Sequence, residues 1–132
     1  MGIELPDKAK ELILAKNLGN LATLMPDGSP HVAPVWVDLE DGHVLVNTAE
    51  GRQKVKNIRH DPRVALDVVN SENPYEMVTL RGRVVGITPE GADAHIDKLA
   101  KKYLGRDSYP FRRAGEQRVI IRIEPERISN YR

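Results

Sequence analysis

Six segments of the chain are rich in Val, Leu, Ile, Ala and Thr, a composition typical of β-strands, and turn sequences separate several of them. The segments are residues 20–25, 30–38, 43–48, 63–69, 75–87 and 118–123. Residues 26–29 and 39–42 each contain aspartate followed by glycine, which favours a tight turn, so the first three strands are predicted to form antiparallel hairpins. In the last segment charged residues alternate with Val119, Ile121 and Ile123, and Pro125 is expected to end the strand.

Three further segments carry the signals of helices: residues 7–17, 51–60 and 89–103. Apolar residues recur at the spacing of one helix face in the first segment, and Gly19 is expected to stop it. The second segment ends before Pro62, because the residue preceding a proline is disfavoured in helical conformation. Pro89 suits the first turn of the third helix, where its missing N–H removes no hydrogen bond.

The order of the predicted elements, α-βββ-α-ββ-α-β, limits the fold. A doubly wound parallel sheet would need a helix between most strands, whereas hairpin links favour an antiparallel barrel. We therefore predict a mainly β (α+β) fold, a six-stranded antiparallel barrel with flanking helices, in one domain spanning residues 1–132. Gly82 and Gly86, inside the fifth strand, are predicted to mark bulges rather than ligand contacts.

Composition excludes several classes of protein and site. The chain has no cysteine, so disulfides, thiol nucleophiles and cysteine-bound metals are excluded. Its four histidines stand singly, without metal-ligand spacing, so no metal site is predicted. No apolar run is long enough to span a membrane and the first residues lack the features of a secretory signal, so we expect a cytoplasmic protein. A net charge of +1, with one Trp, one Phe and four Tyr, argues against a nucleic-acid-binding barrel.

The most informative segment begins where the third strand ends and the second helix starts. Gly51 is followed by Arg52, Lys54, Lys56 and Arg59, with no acidic residue among these cations. Cations near a helix N-terminus are mildly unfavourable for stability, and like charges four residues apart repel each other. A bound phosphate reverses both effects, because the free N–H groups of the helix N-terminus and the cationic side chains then face an anion. The alternative interpretation is a solvated basic helix face.

The same segment carries a family resemblance. GRQKVKNIRHDPRV at 51–64 resembles pyridoxamine-phosphate-oxidase-like split β-barrel proteins, and more narrowly the branch of flavin/deazaflavin oxidoreductases that use coenzyme F420. Other matching pieces are LATL at 21–24, DGSPH at 27–31, LRGRV at 80–84 and RVIIRIEP at 118–125, so the resemblance covers nearly the whole chain. It implies a split β-barrel that forms a homodimer, with two cofactors held at the dimer interface.

The resemblance also implies which residues bind the cofactor. The segment that grips the cofactor phosphate corresponds to Gly51, Arg52, Gln53 and Lys54, with Asn57 close by. The strand residues that line the ring system correspond to Val35, Trp36, Asn47 and Thr48. The residues that reach the ring from the other subunit correspond to Tyr75 and Met77. The basic loop over 106–118 is expected to approach the same cleft with Arg112, Arg113 and Arg118.

These residues together imply an F420-dependent oxidoreductase that transfers a hydride from the reduced deazaflavin to a small unsaturated or conjugated organic substrate. The Arg-x-Lys spacing of Arg52 and Lys54 favours the deazaflavin branch, since FMN oxidases of this superfamily often place a second base directly beside the arginine. The chain has no counterpart of the C-terminal extension of the vitamin-phosphate oxidases, so oxidation of pyridoxamine phosphate is not expected. No catalytic residue is predicted, because the cofactor carries the chemistry and water can supply the proton.

Two alternative functions stay open: an FMN-dependent oxidoreductase of the same fold, and a non-catalytic carrier of F420, flavin or haem. Some single residues are ambiguous as well. Trp36 either packs in the core or forms a wall beside the ring. Tyr75 either stacks on the cofactor or merely opens a strand, and His31 is either structural or a proton donor.

Overall fold

The computed structural model describes residues 2–131, and for residues 129–131 it describes the backbone only. Three helices and seven strands lie within these residues. In chain order they are α1 (Asp7–Leu14), β1 (Gly19–Leu24), β2 (Pro30–Val35), β3 (Val37–Glu40), β4 (His43–Ala49), α2 (Gln53–His60), β5 (Arg63–Val69), β6 (Met77–Thr88), α3 (Ala92–Leu104) and β7 (Arg118–Tyr131).

The strands form one antiparallel sheet in the order β2-β1-β5-β6-β7-β4-β3. β2 and β3 stand at opposite edges of this order, yet only Trp36 separates them along the chain. The sheet must therefore curl until its two edges meet at Trp36, which makes it a split barrel. The prediction of a mainly β, antiparallel barrel with flanking helices is confirmed.

The predicted number of six strands is wrong by one, because residues 30–38 are not a single strand. Val35 pairs with Gly19 of β1, and Val37 pairs with Val46 of β4, so the chain passes from one edge of the sheet to the other within three residues. Val35 and Val37 are both buried. The hydrophobic pattern is therefore continuous across residues 35–37. For this reason the sequence pattern alone does not reveal that the strand breaks there.

Several helix ends also differ from the prediction; α2, for example, begins at Gln53 rather than at 51. α1 ends at Leu14 rather than at 17, and the Asn17 amide donates a hydrogen bond of 2.9 Å to the backbone oxygen of Leu12, near the end of the helix. This side-chain bond satisfies a carbonyl that a longer helix would have paired. α3 begins at Ala92, and Pro89 lies in the preceding turn, where its carbonyl accepts a hydrogen bond of 3.2 Å from the Ala92 N–H.

β7 continues through Pro125, so the prediction that this proline ends the strand is wrong. Pro125 pairs with Gly82 at a register shift between β6 and β7. A Cβ on Gly82 would lie 2.2 Å from the backbone oxygen of Glu124, so the close approach of the two strands requires glycine. A second register shift lies between Val84 and Gly86, and the prediction that the glycines mark bulges is confirmed.

The main hydrophobic core fills the barrel beneath α1. Among its fully buried side chains are Ile13, Leu21, Leu66, Leu80 and Ile121. A smaller cluster joins α3 to the barrel, and it consists of Ile96, Leu99 and Tyr103 with Trp36 and Tyr109 packed against them. The smaller cluster places α3 beside the strand break at Trp36. In the described part of the chain, no helix has both the length and the apolarity to cross a membrane.

Candidate functional site

A cleft of about 320 Å³ opens beside the strand break. It is lined by Leu18, Pro34, Val35, Trp36, Asn47, Thr48, Arg52, Lys54, Ile96, Tyr109, Phe111 and Arg118. β4 leads into a turn at which Gly51 has a φ of +89°, a conformation that favours glycine, and α2 then begins at Gln53. This turn brings the end of β4 and the start of α2 to the same wall of the cleft.

Arg52 and Lys54 form a pair of cations at this wall. Arg52 is the N-cap residue of α2, and Lys54 lies in the first turn, which contains no acidic residue. Within residues 2–131, neither side chain has a hydrogen bond or an ion pair. Burial lowers the pKa of Lys54, and the positive charges of Arg52 and Arg118 lower it further. Arg52 and Lys54 therefore concentrate positive charge on the cleft wall, and neither is paired with a carboxylate of the described chain.

The cation cluster differs from the four residues predicted by the sequence. Arg59 donates hydrogen bonds of 2.5 and 2.6 Å to the two carboxylate oxygens of Glu50, so the prediction that it is held for a ligand is wrong. Glu50 precedes Gly51, just outside the run of cations, and the turn folds it back onto the helix. Lys56 is exposed and does not line the cleft. Arg118 supplies the third cation of the cleft from the start of β7.

Arg118 is buried and held on several sides. Its Nε donates a hydrogen bond of 3.0 Å to the Asn47 side-chain oxygen, and its Nη1 donates one of 3.1 Å to the carboxylate of Glu116. The guanidinium also lies over the ring of Tyr109, with 5.1 Å between its Cζ and the ring centroid. Nη2 has no protein partner in the described structure, which leaves this nitrogen for a ligand.

A hydrogen-bonded chain connects Arg118 to a buried carboxylate behind the cleft. The Asn47 side-chain nitrogen lies 3.1 Å from Nδ1 of His95, and His95 Nε2 lies 3.0 Å from Oδ2 of Asp38. Lys98 donates a hydrogen bond of 3.0 Å to the same oxygen. Burial would raise the pKa of Asp38, but the hydrogen bonds from His95 and Lys98 outweigh it and hold that pKa well below its ordinary value. Asp38 is therefore an anion.

Aromatic side chains form another part of the cleft wall. Trp36 stacks on Tyr103, with ring centroids 5.1 Å apart, and Tyr109 contacts its indole edge to face at 5.9 Å. Phe111 contacts Tyr109 in the same manner and is 61 % exposed. The ring of Trp36 packs on the α3 cluster, which confirms the interpretation of core packing; it also lines the cleft, and its role as a wall beside a bound ring stays a prediction.

The loop 105–117 is anchored to α3 through Asp97. This carboxylate accepts a hydrogen bond of 2.8 Å from the Tyr109 N–H and a second bond from Arg112. The Tyr109 N–H and the guanidinium of Arg112 together hold the pKa of Asp97 below its ordinary value, against the effect of burial. Arg112 is therefore engaged outside the cleft, and Arg113 is exposed and does not line it. Arg118 alone of the three predicted loop arginines reaches the cleft.

The structure brings six of the eleven predicted cofactor-binding residues to the cleft lining: Val35, Trp36, Asn47, Thr48, Arg52 and Lys54. Gly51, Gln53 and Asn57 lie next to them without lining the cleft. Gln53 donates a hydrogen bond of 2.8 Å to Asn57, and the buried Asn57 donates one of 2.9 Å to Thr23. These two amides therefore attach α2 to β1.

The remaining predicted residues lie elsewhere on the protomer. Tyr75 is 77 % exposed in the loop before β6, and Met77 is the first residue of that strand. Neither lines this cleft. His31 lies on β2, does not line the cleft, and its buried Nδ1 has no partner among the described residues. Sequence analysis did not assign five of the lining residues to the cleft: Leu18, Pro34, Ile96, Tyr109 and Phe111. The one sequence signal for any of them was the presence of two aromatic residues, Tyr109 and Phe111, in a basic loop of a chain with few aromatic residues.

Comparison with known proteins agrees with this architecture. The family model for pyridoxamine 5'-phosphate oxidase matches residues 5–132. A solved structure described as an F420 reductase is 31 % identical, with a TM-score of 0.82 over 95 % of this chain and 98 % of that chain.

Two more distant structures share the fold. A conserved hypothetical protein from Mycobacterium tuberculosis is 23 % identical, with a TM-score of 0.72 over 96 % of this chain and 84 % of that chain. A putative pyridoxamine 5'-phosphate oxidase from Lactobacillus delbrueckii is 19 % identical, with a TM-score of 0.68 over 96 % and 94 %. With a family match over almost its whole length and the same split barrel, the chain belongs to the pyridoxamine 5'-phosphate oxidase family.

Proposed function

We propose that this protein is a coenzyme F420-dependent oxidoreductase that reduces a small unsaturated or conjugated organic molecule. The main support is the cleft itself: Arg52 and Lys54 line it without an acidic partner in the described chain, and the aromatic rings of Trp36, Tyr109 and Phe111 line it as well. The choice of F420 as the cofactor is further supported by the similarity, at 31 % identity, to a structure described as an F420 reductase.

The residues of the cleft fit a ligand that combines a phosphate with a planar ring system. The N-terminus of α2 has no side-chain cap, so its first N–H groups and the two cations can bind phosphate oxygens. Arg52 offers a forked pair of donors, and Lys54 offers a compact charge. Trp36, whose indole lines the cleft, provides an apolar surface for a ring, and Tyr109 and Phe111 extend this surface.

The chain's own contribution to the reaction is binding and alignment. When bound, a reduced deazaflavin would supply the hydride. The cleft lining, as far as the structure describes it, contains no carboxylate and no imidazole, and we assign no general acid or base among its residues. Tyr109 and Phe111 would shield the ring face from water, and Asn47 and Arg118 would orient the polar edge. Alignment of two reactants can lower a barrier by roughly 7–11 kcal/mol in favourable systems.

We also propose that the protein is a homodimer, with the outer face of β2, β1 and β5 in the interface. Val32, Ala22 and Ala65 are neighbours in register across these strands and form an outward apolar row, in which Val32 is 66 % exposed. β2 also supplies Pro34 to the cleft, so a second copy seated on this face would lie next to the ligand. Tyr75 and Met77 are proposed to reach the ring from that copy.

Turnover tests the enzymatic proposal. Reduced F420 is incubated with the protein and a panel of quinones, enones and tetrapyrroles, and the return of F420 absorbance is followed. Faster oxidation with at least one acceptor is expected. Binding of reduced F420 without oxidation by any member of the panel would favour the carrier function. A yellow protein that copurifies with FMN and ignores F420 would favour the FMN-dependent alternative.

A further inference from the structure

We propose that His95 is a positioning residue for the cleft, because its unprotonated Nδ1 fixes the amide of Asn47 and the amide oxygen fixes the guanidinium of Arg118. His95 does not line the ligand cleft, and its side chain is only 9 % exposed. The importance of this positioning of Arg118 for ligand binding rests on the function proposed above. The positioning itself can be tested without any ligand.

Two contacts determine the orientation of the Asn47 amide. Arg118 Nε is only a donor, so the atom that it contacts at 3.0 Å must be the amide oxygen. The carbonyl of Ala92 is only an acceptor, so the atom 2.8 Å from it must be the amide nitrogen. Both contacts agree, and one N–H of the amide is left to point at His95.

The tautomer of His95 follows from the orientation of Asn47. The second N–H of the Asn47 amide lies against His95 Nδ1, so Nδ1 must accept and cannot carry a proton. Nε2 then carries the proton and donates it to Asp38. Every donor in the chain from Arg118 through Asn47 and His95 to Asp38 thus faces an acceptor. A proton on Nδ1 would set two donors against each other and release the Asn47 amide.

Release of Asn47 would affect the cleft directly. Asn47 and Glu116 hold two of the three guanidinium nitrogens of Arg118, which leaves Nη2 for a ligand. Without the amide oxygen at Nε, the guanidinium would be free to rotate about its long side chain. The cleft would then lose an aligned donor while keeping its net charge, so the expected effect is on binding geometry rather than on long-range attraction.

Two substitutions separate positioning from a general structural role. In His95→Asn, the side-chain oxygen occupies the place of Nδ1 and can still accept from Asn47, while the contact with Asp38 is lost. In His95→Gln, the side-chain nitrogen occupies the place of Nε2 and can still donate to Asp38, while no acceptor faces Asn47. Thermal unfolding of both variants reports their stability. The proposal expects His95→Asn to preserve the cleft and His95→Gln to impair it.

The ligand-free test uses nuclear magnetic resonance. In the wild-type protein, the ¹⁵N shifts of His95 are expected to show a bare Nδ1 and a protonated Nε2, and this measurement needs no variant at the site. The Nε–H signal of Arg118, assigned by its loss in Arg118→Lys, should be protected from exchange in the wild type and in His95→Asn but not in His95→Gln. A proton on Nδ1, or equal protection in both variants, would overturn the proposal.

Coenzyme F420 is the ligand for the second test. His95→Gln should bind it about fivefold more weakly than the wild type, the effect of one neutral hydrogen bond, and His95→Asn within about twofold. Equal affinity of both variants would overturn the positioning role in binding. Protection of Arg118 as expected, with no F420 binding by any form, would instead refute the proposed function and leave the positioning intact.

Discussion

The indole of Trp36 stacks on the phenol ring of Tyr103, with their centroids 5.1 Å apart and their planes at 7°. This contact joins the break between β2 and β3 to α3, and Trp36 itself lines the cleft. The Tyr103 hydroxyl strengthens the joint, since it donates a hydrogen bond of 2.7 Å to the Asn17 carbonyl and accepts one of 3.0 Å from the Val37 N–H. The fold and the site therefore depend on the same residues.

Tyr103→Phe tests this joint. The ring stack is kept, but two buried backbone groups lose their partner, so the free energy of unfolding should fall by about 1–3 kcal/mol. Urea denaturation followed by tryptophan fluorescence measures the change. Tyr75→Phe is the matched control, because Tyr75 is 77 % exposed, and it should leave stability unchanged. Equal effects of the two substitutions would show that the hydroxyl of Tyr103 does not stabilise the joint.

Alanine substitution of two glycines of β6 is predicted to have very different effects on stability. Alanine at Gly82 would place Cβ 2.2 Å from the Glu124 backbone oxygen, whereas at Gly86 the nearest atom is the Cβ of Arg122 at 3.9 Å. Gly82→Ala should therefore destabilise the barrel by about 3 kcal/mol or more, and Gly86→Ala by less than about 1 kcal/mol. Denaturant unfolding of both variants measures the difference. A tolerated Gly82→Ala would contradict the close contact between β6 and β7.

The fold was largely predictable from the sequence because local sequence patterns mark most of its strands. Runs of branched residues bounded by Asp-Gly turns mark most strands without any knowledge of the neighbours. The break at Trp36 and the continuation of β7 through Pro125 were not predictable in the same way. Both depend on what lies across the sheet: buried β4 at the break, and the register shift at Gly82 opposite the proline.

The candidate site was predictable where it is built from consecutive residues. Arg52 and Lys54 follow a glycine at a helix start, and that local pattern already indicates an anion site. Tyr109 and Phe111 were missed because a loop has no hydrophobic period, and the loop is placed by Asp97, a contact between residues distant in sequence. The pairing of Arg59 with Glu50 was missed because the turn, rather than the helix, brings them together.

The lowered pKa of Lys102 leads us to expect that stability changes with pH in mildly alkaline solution. Burial, with a smaller contribution from Lys98 and against the attraction of Asp38, lowers the pKa of Lys102 to about 8. The unfolded chain keeps its proton up to about pH 10.4, so between these values the unfolded state binds more protons and stability should rise with pH.

Urea denaturation of the wild type and of Lys102→Met between pH 8 and pH 10 measures this slope. Lys102 donates hydrogen bonds to the carbonyls of Ile13 and Val37, so the variant should be less stable overall. It should also lack the upward slope, because the titrating amine is gone. Parallel pH dependences of the two proteins would show that Lys102 keeps an ordinary pKa in the folded state.

If the apolar row of Val32, Ala22 and Ala65 lies in the dimer interface, a charge introduced there should prevent dimerisation. Val32→Glu places a carboxylate at the most exposed position of the row, next to Ala22 on β1. Analytical ultracentrifugation should show dimers for the wild type and monomers for the variant, with unchanged circular dichroism. Val85→Glu is the control, because Val85 is also exposed but lies on β6, away from the row. Monomeric wild-type protein would refute the dimer.

Side-by-side titration with oxidised coenzyme F420 and with FMN, followed by fluorescence, tests the central role of the two cleft cations. The wild type should bind F420 at micromolar concentration and bind FMN poorly. Arg52→Ala and Lys54→Ala should each weaken F420 binding by about 1.5–3 kcal/mol, roughly 10- to 150-fold, whereas Lys56→Ala, exposed on the same helix, should have little effect. Unchanged F420 affinity in both cleft variants would show that the phosphate binds elsewhere and would contradict the proposed site.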